Sequence, residues 1–210
     1  MDKGLELRQV AIARGDKPLL SIDAAIAPGQ VLTLMGPSGV GKSTLLSFVT
    51  GTLAPGFTAT GQVWLDGHDI SRLPPHRRMV GILFQDDLLF PHLSVGANLA
   101  FGLRTGGSRA ERRIKIDSAL AQVGLEGYAD RDPATLSGGQ KARVSLMRML
   151  LSNPCVLLLD EAFSRLDATL RAQVRDLVFD RARALHLPVL MVTHDAEDAQ
   201  AAGGEVITLG

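Results

Sequence analysis

The chain opens on two stretches in which apolar and polar residues nearly alternate, 5–13 and 19–27, separated by Arg14-Gly-Asp-Lys-Pro18. A period of two sends successive side chains to opposite faces, so the pattern predicts an antiparallel hairpin with that segment as its turn. Pro28-Gly29 marks a second turn. Alternation then gives way to an uninterrupted apolar run, Val31–Met35, as expected of a strand buried on both faces. Lys42–Thr50 has helix-compatible spacing and stops at Gly51, a residue type suited to the left-handed C′ position. Gln62-Val-Trp-Leu65 ahead of Asp66-Gly67 predicts another strand and tight turn beside the first hairpin, and Val80–Phe84 a second buried strand.

From residue 86 to residue 154 helical signals dominate. Ser108 and Glu111 form a capping box ahead of a helix whose inward face is Ile116, Leu120 and Val123. Leu136-Ser-Gly-Gly-Gln140 opens the next helix, with Val144, Met147 and Leu150 at helical spacing, and Asn153-Pro154 stops it. Residues 156–159 are a strongly apolar strand that runs into Asp160-Glu161. A helix over 168–186 is predicted to turn Leu170, Val174, Leu177, Val178 and Leu185 inward. After Pro188 come the strand Val189–Val192, ending near Thr193 and His194, and a short last strand at 205–209. Strands alternating with helices imply an α/β fold with a largely parallel sheet. The 86–154 block reads as a helical insertion within a single domain covering residues 1–210.

Composition adds limits rather than direction. At 210 residues, 46% hydrophobic and 21% charged, the chain suits one globular domain with a sizeable core. A formal net charge of +0 gives no global pull toward nucleic acid or anionic lipid, so no nucleic-acid partner is expected. Cys155 is the one cysteine, which excludes an internal disulfide; beside its apolar run it reads as a small buried hydrophobe. The opening Met-Asp-Lys-Gly-Leu-Glu lacks the basic-then-apolar form of a signal peptide, and no apolar run nears the roughly 20 residues that cross a bilayer. The expectation is a cytoplasmic protein whose membrane role, if it has one, comes through a partner.

Chemistry enters between the first buried strand and the first helix. Gly36, Pro37, Ser38, Gly39, Val40, Gly41, Lys42, Ser43 and Thr44 fit the pattern G-x-x-x-x-G-K-[ST]. A nucleotide triphosphate is dense in negative charge, and a loop without Cβ atoms can curl its backbone N–H groups onto it. Lys42 can reach the β- and γ-phosphates, the Ser43 hydroxyl can ligate Mg²⁺, and the dipole of the following helix favours the anion. Other strand ends carry matching groups. Asp160 is a carboxylate ending a buried strand, which calls for a cation or hydrogen bonds. Glu161 can orient or deprotonate an attacking water, Gln85 suits a metal–water contact, and His194 can donate to the γ-phosphate.

Leu136-Ser137-Gly138-Gly139-Gln140 is a second glycine-rich helix start, with Ser137 at the cap and no lysine. One nucleotide needs one phosphate loop. The incomplete second cradle therefore reads either as a plain glycine cap or as a surface for a nucleotide held by another copy.

Together these residues resemble the ATP-binding subunit of ATP-binding-cassette (ABC) transporters over nearly the whole chain. The resemblance rests on the Walker A loop 36–44, Gln85 of the Q-loop, the signature 136–140, Walker B 156–160 with Glu161, Ser164-Arg-Leu-Asp167 of the D-loop and the switch His194. It implies a P-loop NTPase (RecA-like) core with an antiparallel β subdomain and an inserted helical subdomain at about residues 86–154. It implies ATP and Mg²⁺ as ligands, and a head-to-tail dimer, with itself or a second ATPase subunit, in which Ser137 and Gly139 meet the other copy's γ-phosphate. It also implies integral-membrane permease subunits, an extracytoplasmic substrate-binding protein and a place on the inner face of the cell membrane. Phe84-Gln-Asp-Asp-Leu-Leu-Phe-Pro-His-Leu-Ser94 is most similar to bacterial importers of small nutrients such as thiamine, polyamines, iron or oxyanions. Soluble relatives in DNA repair carry long coiled-coil insertions, and those in translation carry two cassettes; neither is visible here.

Three departures stand out. The family stacks adenine on an aromatic of the first hairpin, where this chain has Arg14, whose guanidinium can also stack. Ala162 stands where a proline commonly follows the catalytic glutamate. The stretch after His194 is short, as in a minimal subunit or part of a longer protein.

Overall fold

The computed structural model describes residues 4–209; Met1, Asp2 and Lys3, which begin the stretch read above for a leader, lie outside them. β1 (Leu5–Arg14) and β2 (Lys17–Ile26) form the expected hairpin with Gly15-Asp16 at its tip. The imperfect alternation in β1 has a physical cause. Its register slips between Leu7 and Val10, where Gln9 takes φ +49. This bulge resets the pleat, so Leu5, Leu7, Val10 and Ile12 all reach the core, each at most 1% exposed. Gly61 opposite has φ +88 and sits so close that a Cβ would lie 2.3 Å from the Gln9 carbonyl oxygen.

β3 (Val31–Met35) leads into α1 (Lys42–Thr50), which ends at left-handed Gly51 as expected. β4 (Phe57–Leu65) then returns along the free edge of β1, and β5 (His68–Asp69) pairs with β4, giving an antiparallel sheet ordered β2-β1-β4-β5. The turn at Asp66-Gly67 has positive φ at both residues, the geometry that matches strand twist. β4 begins five residues earlier than the sequence suggested, because Phe57 and Ala59 are only half-buried among polar neighbours and leave a faint pattern.

β6 (Val80–Phe84), β7 (Val156–Asp160), β8 (Val189–Val192) and β9 (Glu205–Thr208) join β3 in a second sheet ordered β6-β7-β8-β3-β9. The pairs β7–β8, β8–β3 and β3–β9 are parallel. Leu157, Leu158 and Leu159 are fully buried, which is why β7 reads as an unbroken apolar run. Register places Asp160 beside Val192 and Val192 beside Leu34, so the ends of three strands lie in one row.

The chain divides into two compact units, one formed by residues up to Ile82, Cys155–Glu161 and Arg175 onward, the other by Leu83–Pro154 and Ala162–Val174. The second contains α2 (Val95–Ala100), α3 (Arg109–Ala121), α4 (Gly138–Leu150) and the first turns of α5 (Ala168–Ala184). α3 has the expected capping box and buries Ile116 and Leu120, while Val123, expected on the same face, is buried in the turn just past the helix end. α4 buries Val144, Met147 and Leu150. The short α2 has no periodic signature of its own. It exists because fully buried Asn98 donates to the carbonyls of Phe90, Leu93 and Ser94 and accepts from the Phe90 N–H.

α5 corrects the sequence reading at its end. The helix stops at Ala184, and Leu185 is 54% exposed rather than inward. His186 takes φ +52, Leu187 N–H donates to Ala182 O and His186 N–H to Arg183 O, a Schellman ending. That turn swings Leu187 inside in place of Leu185, while Phe179 and Ala182 complete the face begun by Val174 and Val178. A further short helix, α6 (Ala196–Ala202), lies between β8 and β9 and was not anticipated.

Candidate active site

At the end of β3 the backbone enters positive φ at Gly36, Gly39 and Gly41 (+151, +85 and +102), where side chains are strained. Gly36 is also crowded: a Cβ would lie 2.5 Å from the Leu209 carbonyl oxygen, an atom of the segment running beside β3. Gly41 caps α1 without any side-chain hydrogen bond to the helix's first N–H groups. A helix start left uncapped by its own chain is a site for an anion. Lys42 is 6% exposed, and its Nζ donates to Gly36 O at 2.7 Å and Pro37 O at 3.0 Å. The ammonium is thus held at the centre of the loop by the loop's own carbonyls.

Ser43 Oγ donates to Asp160 Oδ1 at 2.8 Å. Burial pushes the Asp160 carboxyl above its usual range, the Ser43 bond opposes this, and neighbouring Glu161 adds to it. A desolvated carboxylate bonded to a hydroxyl fits a divalent cation, which would relieve the burial cost. Among the described residues no cluster of three or more His, Cys, Asp or Glu could hold a metal alone. The donors present suit Mg²⁺, which is bound through one or two protein oxygens together with phosphate.

Glu161 continues β7 by one residue, its N–H donating to Val192 O at 3.0 Å, and then takes φ +48. A left-handed non-glycine residue costs of order 1–3 kcal/mol and persists where the surroundings impose it. Its Oε2 lies 3.1 Å from Nδ1 of His194, whose side chain is 61% exposed. Thr193 beneath is buried and accepts from Asp195 N–H. A carboxylate steadied by an imidazole, facing solvent beside a phosphate loop, can activate a water.

One cavity of about 300 Å³ gathers these parts: Ser38, Gly39, Gly41, Lys42, Ser43 and Thr44 line it with Glu161 on one side and Arg14, Leu19 and Phe57 on the other. Leu19 and Phe57 were not foreseen. The signal for Phe57 was an aromatic just after Pro55-Gly56, but its place depends on which β1 residue it faces. Val40 of the loop is half-buried.

The remaining sequence candidates belong to the second unit. Gln85 is exposed. Ser137 caps α4, its Oγ accepting from Gln140 N–H at 3.3 Å while Gln140 Oε1 accepts from Ser137 N–H at 3.0 Å. Gly138 has nothing within 4 Å of where a Cβ would sit, whereas at Gly139 it would lie 2.2 Å from Leu170 Cδ1. Asp167 Oδ1 accepts from Leu170 N–H at 3.0 Å, so it caps α5.

Parallel strands ending in a lysine-bearing glycine loop and an acidic pair define a P-loop NTPase. The family described as ABC transporter matches residues 19–164, and the chain belongs to it as an ATP-binding subunit and an ATPase. It is 51% identical over 87% of its length to a protein of Escherichia coli (strain K12) named as an uncharacterized ABC transporter ATP-binding protein, covering 84% of that protein. It is 46% identical, over 83% of the chain and 74% of the relative, to the thiamine import ATP-binding protein of Salmonella choleraesuis. To the Fe(3+) ions import ATP-binding protein of Escherichia coli (strain K12) it is 40% identical over 98% of the chain, which spans 59% of that relative. Among solved structures, cbiO1 from Clostridium perfringens, part of the ABC transporter complex cbiONQ, superposes with a TM-score of 0.85 at 30% identity, covering 99% of this chain and 85% of that one.

Proposed function

We propose that the chain binds and hydrolyses ATP to drive import of a small nutrient through a separate integral-membrane permease. The Glu161–His194 pair at the lip of a cavity lined by the phosphate loop carries this reading. Glu161 acts as general base toward water, His194 orients it and donates to the γ-phosphate, and Lys42 with the loop N–H groups of 36–44 holds the phosphates. Mg²⁺, when bound, neutralises charge developing on the phosphoryl oxygens; Ser43 and Asp160 would hold it, with Gln85 suited to one of its waters.

The working form is a dimer with itself or a second ATPase subunit, each nucleotide shared with the other copy's Ser137–Gln140 and Asp167. Gly138 supports this, since no side chain of the described residues requires a glycine there. Relatives named for iron, thiamine and spermidine/putrescine import support a nutrient importer over a role in DNA repair or translation. A neighbour titled as part of a transporter complex supports a permease partner, and an extracytoplasmic binding protein would complete the system, with this subunit peripheral on the cytoplasmic face. Among the described residues no helix is long and apolar enough to cross a membrane.

Glu161→Gln tests the assignment. ATP binding should persist, turnover should fall on the order of 10²–10⁴-fold, and light scattering should show an ATP-dependent dimer. Turnover equal to wild type would remove Glu161 from the chemistry.

A further inference from the structure

We infer that the nucleotide base is held against the ring of Phe57, with the Arg14 guanidinium alongside, and that this platform grips a base by its face without selecting adenine. The inference rests on the cavity being a nucleoside triphosphate site and says which residues recognise the nucleoside end of it.

Phe57 is the first residue of β4 and Arg14 the last of β1, and the two are direct cross-strand partners. Gly15 N–H donates to Gly56 O at 3.3 Å, closing this end of the strand pair. The Arg14 guanidinium carbon lies 5.6 Å from the centroid of the Phe57 ring, within cation–π reach. Both side chains line the cavity that holds Lys42 and Ser43, with Leu19 of β2 beside them. Phe57 is half-buried, so packing anchors the ring while part of it stays accessible. Arg14 ends β1, and the neighbouring strand supplies an aromatic at the same level.

The chemistry of this end is simple. Leu19 and Phe57 are apolar, and Arg14 brings donors only. Purines of either kind expose N7 as an acceptor, adenine adds N1 and guanine adds O6, so a single guanidinium finds an acceptor on either base. Stacking is tolerant of base identity because every base has a π-face. The triphosphate, not the base edge, then sets affinity.

Calorimetric titration of the full chain with ATP, GTP and inorganic tripolyphosphate tests this. Wild type should bind ATP and GTP within about threefold of each other. Phe57→Leu keeps apolar bulk without the π-face, and should weaken both nucleotides roughly tenfold while leaving tripolyphosphate unchanged. Phe57→Tyr should restore both, and Arg14→Ala should cost a smaller, roughly two- to fivefold loss. The platform is overturned if Phe57→Leu leaves ATP affinity within twofold, or if Phe57→Leu and Phe57→Tyr both weaken tripolyphosphate as much as ATP, since that makes the ring purely structural. A wild-type preference for ATP over GTP of tenfold or more overturns the tolerance. Wild type binding neither ATP nor tripolyphosphate would refute the nucleotide reading itself, an outcome distinct from ATP binding that ignores Phe57.

Discussion

Two helices of this chain start in glycine-rich turns, and they start in opposite ways. α1 begins at Gly41 with φ +102 and no side-chain cap. α4 begins at Ser137 with ordinary extended backbone, φ −67, and a complete capping box closed by Gln140. In the first, glycine is demanded by backbone conformation, and the helix's opening N–H groups are left for a ligand. In the second, a Cβ at Gly139 would meet the half-buried end of the Leu170 side chain, and one at Gly138 would meet nothing within 4 Å. The first start is proposed as a binding surface in its own right. The second is a finished structural element whose spare features are a serine hydroxyl and an uncluttered approach.

The widest gap between the two should open at Lys42, the first residue of α1, where α4 has Gly138. Lys42→Ala removes hydrogen bonds to ionised phosphate worth about 1.5–3 kcal/mol each, so ATP affinity should drop on the order of a hundredfold. Calorimetric affinity equal to wild type would erase the distinction. A finer cut separates the two glycines of α4. Gly139→Ala puts a methyl against the half-buried end of Leu170, which must swing aside, so the gain in helix propensity is offset and thermal stability should change by no more than about 1 kcal/mol. Gly138→Ala should keep or raise stability by up to about 1 kcal/mol yet lower turnover of the assembled ATPase. Normal turnover in that variant would deny the start of α4 any role toward a second copy's nucleotide.

The smallest expected effect is one of pH. Burial raises the Asp160 carboxyl in the folded chain, so its contribution to stability is full below the unfolded pKa and lost as pH rises through the folded value. The nucleotide-free protein should therefore lose some stability from the ordinary carboxylate range upward into weakly acidic pH. Asp160→Asn should remove that slope and melt higher at neutral pH, while gaining less than wild type from ATP with Mg²⁺. Melting points of the two proteins that track each other at every pH would leave the raised carboxyl without consequence.

Much of this site was legible because its signals are local. Gly36 through Thr44 sit on consecutive residues, and Asp160-Glu161 follow directly on an apolar run. Ser137 marks the cap of α4 in the sequence, and the structure has its bond from Gln140 N–H together with the return bond to Gln140 Oε1. Leu185 was misjudged because a helix period says nothing about where the helix stops, and a left-handed His186 gives no signal as strong as glycine would. Gly139 gives no sign in the sequence that Leu170 packs beside it, because Leu170 lies thirty-one positions along the chain.

By itself the sequence determined residue types, strand and helix periods, and the loop that needs positive φ, because these depend on dihedral preferences and contacts a few residues long. Only the tertiary structure decided that β7, β8 and β3 lie side by side, that Asp160 meets Ser43 and Glu161 meets His194, and that Phe57 faces Arg14. Those meetings follow from strand order and register, which are settled by burying both faces of a sheet at once and leave no mark at any single position.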